Sequence, residues 1–195
     1  AVSSISGTTA QLNGFATPQG ATATGYFRYG LTDPGLCNDS YGTRAPASSG
    51  TNLGAGYSNV SFAQSISGLS PGTTYFVCAL ASNSVGTGVG TAVTFTTPAS
   101  PTVTTMPATS VTATSGTLNA TGIPNNSSAT GWFRYSTTNP TTCDDVFGTR
   151  APLSGGNALG SGTSTTSFSV TPAGLLPGTT YYFCAIAQNA VGTSY

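Results

Sequence analysis

Apolar positions along this chain alternate with polar ones in short runs rich in β-branched and aromatic residues, and clusters of Gly, Pro, Asn and Ser separate the runs. No segment sustains a helical period, so the pattern predicts an all-β protein. In the first half the runs predict strands around residues 9–15, 24–30, 59–66, 74–82 and 90–97, with a loop-rich stretch over 31–58. Within 74–82 the two-residue period of a strand places Tyr75, Val77, Ala79 and Ala81 on one face and Phe76, Cys78 and Leu80 on the other. If Tyr75 points to the core, Cys78 points away from it.

The same pattern occurs twice. Residues 1–89 align with residues 107–195 without a gap, and about half of the aligned positions are identical. GYFRYG at 25–30 meets GWFRYS at 131–136, YGTRAP at 41–46 meets FGTRAP at 147–152, and GLSPGTTYFVCALASNSVGT at 68–87 meets GLLPGTTYYFCAIAQNAVGT at 174–193. A fixed period without insertions marks an array of like units. Each unit has the length of an ordinary single-core domain. The division expected is a first domain over 1–97, a linker or first strand of the next over 98–106, and a second domain over 107–195. The stretch TPASPTVTTMP at 97–107 contains three prolines, which withhold ladder donors and favour extended backbone.

The four cysteines fall in two pairs of equal separation, Cys37 with Cys78 and Cys143 with Cys184. Neither pair has the close Cys-x-x-Cys spacing of a zinc or redox site, and the chain has no His to complete a metal shell. Two disulfides are the natural reading. Each closes a loop of about 40 residues, worth on the order of 3–4 kcal/mol in the chain-entropy model. Such bridges belong to a secreted protein in an oxidising, extracellular setting.

The segment Leu69-Ser70-Pro71-Gly72-Thr73-Thr74-Tyr75 and its partner Leu175-Leu176-Pro177-Gly178-Thr179-Thr180-Tyr181 resemble the corner leading into strand F of fibronectin type III domains. The resemblance implies that the hydroxyls of Tyr75 and Tyr181 hydrogen-bond back to the backbone of their corners. The pattern Tyr-x-x-x-Ala-x-Ala-x-Asn that follows, and then Val-Gly-Thr, is similar to the F strand and F–G turn of fibronectin type III-like repeats in bacterial and archaeal extracellular surface proteins. It covers most of both copies and implies two tandem fibronectin type III-like, immunoglobulin-like β-sandwich domains, each with one intradomain disulfide. An immunoglobulin inter-sheet bridge needs its Cys an even number of residues from the corner Tyr. The odd spacing here points to a bridge that pins the 31–58 loop across the outer face of the sheet containing strands C and F.

By the same parity Tyr26 and Arg28 join Phe76 and Leu80 on that outer face, and Trp132, Arg134, Tyr182 and Ile186 join Cys184 on its counterpart. Such a face is too apolar to leave in water. Two readings stand: the loop folds over it as a second small core held by the disulfide, or part of it is a contact face for a neighbouring subunit. Asp39 and Asp145 are expected to cap a turn or to pair with Arg44 and Arg150, or with Arg28 and Arg134.

Charge narrows the function classes. Only 4% of residues are charged, all of them Arg or Asp, and the net charge is zero. Nucleic acid and anionic membrane surfaces call for clustered Lys and Arg, so neither is expected as a partner. No apolar run approaches the roughly 18 residues of a membrane span. Weak charge repulsion favours self-association with like domains or neighbouring subunits, or a coat of glycans. Without His, Lys or Glu the usual general bases are missing and no Ser or Thr nucleophile is activated, so neither catalysis nor a cofactor is expected. The clusters Cys37-Asn38-Asp39 and Cys143-Asp144-Asp145 each offer at most two carboxylates, fewer than calcium sites gather. Acceptor triplets for N-linked sugar occur at Asn38, Asn59, Asn119, Asn125 and Asn126.

The copies also differ at their ends. The first begins at the equivalent of Pro107 and has no counterpart to Pro101–Met106, a candidate first strand; the second stops at the equivalent of Val89 and has none to Gly90–Thr97, the candidate final strand. An unpaired sheet edge is expected at each place, a template for another chain. The function expected is a structural repeat unit of an extracellular stalk, sheath or filament: a slice of a longer array first, a unit polymerised by β-strand addition second, and a truncated two-domain module third. The alternative is an adhesive or carbohydrate-binding module that stacks sugar on Trp132 and Tyr26.

Overall fold

The computed structural model describes residues 1–195. The chain divides into two compact units, Ala1–Thr97 and Pro98–Tyr195. Unit 1 holds strands β1 (Val2–Ser3), β2 (Thr9–Ala16), β3 (Ala23–Gly30), β4 (Thr43–Ala45), β5 (Thr51–Gly54), β6 (Val60–Ser67), β7 (Thr74–Ser82), β8 (Thr87–Val89) and β9 (Val93–Thr96). One sheet runs β1-β2-β6; the other runs β4-β3-β7-β8, with β5 also on β3 and β9 also on β7. Alternation sets which side is buried: β2 turns Ala10, Leu12 and Gly14 inward and leaves Thr9 and Phe15 in solvent. Between the sheets Leu12, Phe27, Phe62, Ile66, Tyr75, Val77 and Phe95 form the core, with the Phe27 and Phe62 rings 4.9 Å apart.

Unit 2 repeats this plan with β10 (Thr102–Thr109), β11 (Thr117–Ile123), β12 (Ala129–Ser136), β13 (Thr149–Ala151), β14 (Asn157–Gly160), β15 (Thr166–Val170), β16 (Tyr182–Gln188) and β17 (Thr193–Ser194). Its sheets run β10-β11-β15 and β13-β12-β16-β17, with β14 also on β12. Leu118, Phe133, Phe168, Ala185 and Ala187 fill the space between them. Each unit is a fibronectin type III-like β-sandwich carrying one disulfide.

Two local expectations are corrected. The 31–58 stretch contains two short strands, β4 and β5, which pair with opposite ends of β3. Pro46 has no N–H to donate and splits what would otherwise be one edge strand. Residues 90–97 contribute only Val93–Thr96, because the turn before them already pairs as β8. Of the two readings left open for 98–106, the structure selects the first strand of unit 2: β10 starts at Thr102 and pairs antiparallel along β11, and Pro98 and Pro101 are buried.

Candidate functional site

Two features of the sandwiches answer to chemistry: the stapled outer face, and a groove along one sheet edge. On the outer face Cys37 bonds Cys78 and Cys143 bonds Cys184, with Cα atoms 5.7 and 5.9 Å apart. The bridge draws the loop onto Tyr26, Cys78 and Leu80, which form a second small core with Cys37. Arg44 lies over it, its guanidinium carbon 4.0 Å from the Tyr26 ring centroid, and it donates to the carbonyls of Pro46 and Ser49. The same guanidinium therefore closes the break that Pro46 makes in the edge strand. Arg150 repeats this with Trp132, Pro152 and Gly155.

Of the pairings left open by the sequence, the structure selects Arg28 with Asp39 at 3.1 Å and Arg134 with Asp145 at 2.9 Å. Asp145 also accepts the indole N–H of Trp132 at 2.8 Å. In unit 1 a phenol takes the place of the indole. Burial, and after it the neighbouring Asp39 carboxylate, holds Tyr26 above the ordinary phenol range. Tyr41, which donates its hydroxyl to Thr32 O, is likewise raised by burial and then by Asp33. Asp144 caps a turn by accepting the N–H groups of Val146 and Phe147, and no group of three or more His, Cys, Asp or Glu converges.

The contact-face reading of this surface is therefore corrected. Tyr26, Leu80, Trp132 and Ile186 are 2%, 1%, 4% and 0% exposed, because the stapled loop covers them. Phe76, Arg28 and Arg134 are half-buried, and Tyr182 alone is exposed. Stacking of a sugar ring on Tyr26 or Trp132 is excluded for the same reason. Among the acceptor asparagines, Asn38, Asn59 and Asn126 are exposed. Asn119 and Asn125 are not free acceptors: the amide nitrogen to which sugar would attach donates to Pro107 O in the first and to Ser100 O in the second. Each corner tyrosine hydroxyl accepts a backbone N–H, from Ser70 to Tyr75 and from Leu176 to Tyr181, both at 3.0 Å.

The second feature lies at the sheet edges, and here the units differ. In unit 1 the β9 strand pairs with Thr74–Val77 of β7 and stacks Phe95 on Tyr75, ring centroids 5.5 Å apart. In unit 2 the equivalent residues, Thr180–Phe183, have only β12 beside them, and β16 begins at Tyr182. Conversely β11 of unit 2 is flanked along its length by β10, whereas β2 of unit 1 meets β1 only at Gln11 and Leu12 and exchanges hydrogen bonds with Ala1 at Asn13. Beyond that point the edge of β2 opens on a groove of 630 Å³ bounded by Phe15, Pro18, Ala79, Ala81, Asn83 and Val89. Sequence reasoning located the two edges from the phase of the repeat. It did not find the groove, whose walls come from β2, β7 and β8 together.

No protein-family model matches the chain, and no curated protein matches it. Among solved structures it is similar to a two fibronectin type III domain segment from chicken tenascin, at 16% identity and a TM-score of 0.30, covering 100% of this chain and 92% of that one. It is also similar to the FN1–FN3 domains of chicken CNTN1, at 12% identity and a TM-score of 0.34, covering 100% of this chain and 62% of that one. Neither likeness, at such TM-scores, adds to the fold, which the strand order, the cores and the corner tyrosines of each unit already carry.

Proposed function

We propose that this chain is a structural repeat unit of an extracellular stalk, sheath or filament, joined to like units by β-strand addition at its sheet edges. The observation that carries the reading is the repetition itself: two sandwiches of one plan, each with its own core and its own disulfide, follow one another along the chain. An unpaired row of backbone donors and acceptors is the part of a sheet most ready to accept another strand. The disulfides suit an oxidising, extracellular location, and a surface with four Arg and four Asp offers little repulsion to close neighbours.

Negative-stain electron microscopy of the native material in non-denaturing buffer tests the proposal. Regular fibres with an axial repeat of one or two domains are expected. Isolated two-domain particles at all concentrations would contradict it and leave a spacer or binding module.

A further inference from the structure

We propose that each unit carries an N-linked glycan at the same corner of its sandwich, on Asn59 in unit 1 and on Asn126 in unit 2. In unit 1 the ring of Tyr57 is the platform on which the first sugar stacks. The inference goes beyond the structural reading above and does not depend on how units join.

Five asparagines stand in acceptor triplets, and the fold removes three of them. The amides of Asn119 and Asn125 are spent on Pro107 O and Ser100 O. Asn38 is held by its own turn beside the disulfide. Its amide donates to Leu36 O at 3.3 Å, and its side-chain carbonyl accepts from the backbone N–H and the hydroxyl of Ser40, the last residue of its triplet. Asn59 and Asn126 are exposed and have no such partners, and the residues that complete their triplets, Ser61 and Ser128, are exposed as well.

These two positions are not equivalent in sequence, since Asn59 answers to Thr165 and Asn126 to Gly20. The fold nevertheless gives them the same place in their units. In unit 1 the turn between β2 and β3 meets the turn between β5 and β6, where Gly20 N–H donates to Gly56 O at 3.4 Å. In unit 2 the turn between β11 and β12 meets the turn between β14 and β15 through the matching contact, Asn126 N–H to Gly162 O at 3.1 Å. The backbones agree: Gln19 and Gly20 have φ of 61° and 85°, Asn125 and Asn126 of 57° and 64°. One unit thus bears its acceptor on one turn of the pair, and the other unit on the facing turn. Thr163 and Thr165, the counterparts of Tyr57 and Asn59, are exposed in unit 2, where β10 flanks β11, so the corner stays open beside a complete sheet.

Tyr57 is the observation that points to a sugar. It is 78% exposed, yet its ring leans on Gly20, where an added Cβ would run into the phenol oxygen and come within 2.9 Å of a ring carbon. A large ring fixed in place and left in water has no role in the core. It stands two residues ahead of Asn59, close enough along the chain for the first sugar to fold back over it. The C–H groups on the apolar face of a pyranose meet the negative face of an aromatic ring favourably. In unit 2 the aromatic and the acceptor are absent together, replaced by Thr163 and Thr165. A glycan also supplies hydration that a surface with four Arg and four Asp lacks.

The chemistry is a transfer from an oligosaccharide carried on a polyprenyl pyrophosphate, catalysed by a transferase of the secretory route. The asparagine Nδ2 forms a bond to the anomeric carbon while the bond from that carbon to the pyrophosphate oxygen breaks. The lipid pyrophosphate leaves with the electron pair, and the amide releases one proton.

Peptide mass spectrometry on the protein purified from its native source tests the acceptors directly. Sugar is expected on Asn59 and Asn126, with Asn38, Asn119 and Asn125 bare. The full chain and its variants, secreted from a cell that carries the N-linked pathway, test the platform. Ser61→Ala abolishes modification of Asn59, and Ser61→Thr preserves it. Tyr57→Ala lowers occupancy of Asn59 at least about twofold, whereas Tyr57→Phe, which keeps the ring, does not; occupancy of Asn126 is unchanged in each. Bare Asn59 and Asn126 in the native protein, sugar on the other asparagines in their place, or equal occupancy of Asn59 with and without the Tyr57 ring overturns the proposal. None of these outcomes bears on fibre formation, so this site and the structural reading fail separately.

Discussion

At the scale of single residues, the clearest constraints recur in both units at equivalent positions. Gly25 and Gly131 sit on the inner face of their strands against an aromatic ring. A Cβ built on Gly25 would come within 2.9 Å of the Phe62 ring, and one on Gly131 within 2.8 Å of the Phe168 ring. Gly25→Ala and Gly131→Ala are therefore expected to destabilise their own unit by about 1–3 kcal/mol through overpacking, read by denaturant unfolding; no loss in either variant would contradict the packing described. Tyr26 adds a pH dependence. Its folded-state pKa lies above the ordinary phenol value, so the folded chain keeps a proton that the unfolded chain releases. Stability from this group is complete below about pH 10, the unfolded value, and is lost as pH rises through the folded one. The Tm of unit 1 should fall above about pH 10, and Tyr26→Phe should remove part of that fall. A variant with an unchanged alkaline decline would show that the buried phenol is not responsible.

At the scale of elements, the disulfide matters because it fastens a loop and not because it joins the two sheets. The parity of Tyr75 and Cys78 made this legible in the sequence, as did the corner motif for Tyr75 and Tyr181. Less legible were β4 and β5, three and four residues long, since runs so short carry no periodicity and are held by pairing to β3 and by the Arg44 bridge. The choice of Arg28 over Arg44 as partner for Asp39 was equally hidden, because it depends on where the folded loop places Asp39. The sole tryptophan, Trp132, is 4% exposed beneath the loop of unit 2 and reports on it. Reduction of Cys143–Cys184 is expected to cost about 2–5 kcal/mol and to shift Trp132 emission to the red under mild denaturant. Emission that stays blue after full reduction would mean that the loop holds its place without the bridge.

At the scale of the whole molecule, the repeat is more informative than either unit alone. The two sandwiches share cores, corners and staples. The differences between them fall at the sheet edges: β9 beside β7 in one unit, and β10 beside β11 in the other. Repeat phase pointed to these edges in the sequence.

Strand addition would join like units at those edges. Amide hydrogen exchange, compared between dispersed chains and assembled material, measures this residue by residue. Joining by strand addition requires that the outward-facing amides of Gly14–Thr17 and Thr180–Phe183 exchange quickly in dispersed chains and slowly after assembly, with the cores unchanged. Assembly that leaves both stretches in fast exchange, and protects the stapled outer face or other loops instead, would contradict it.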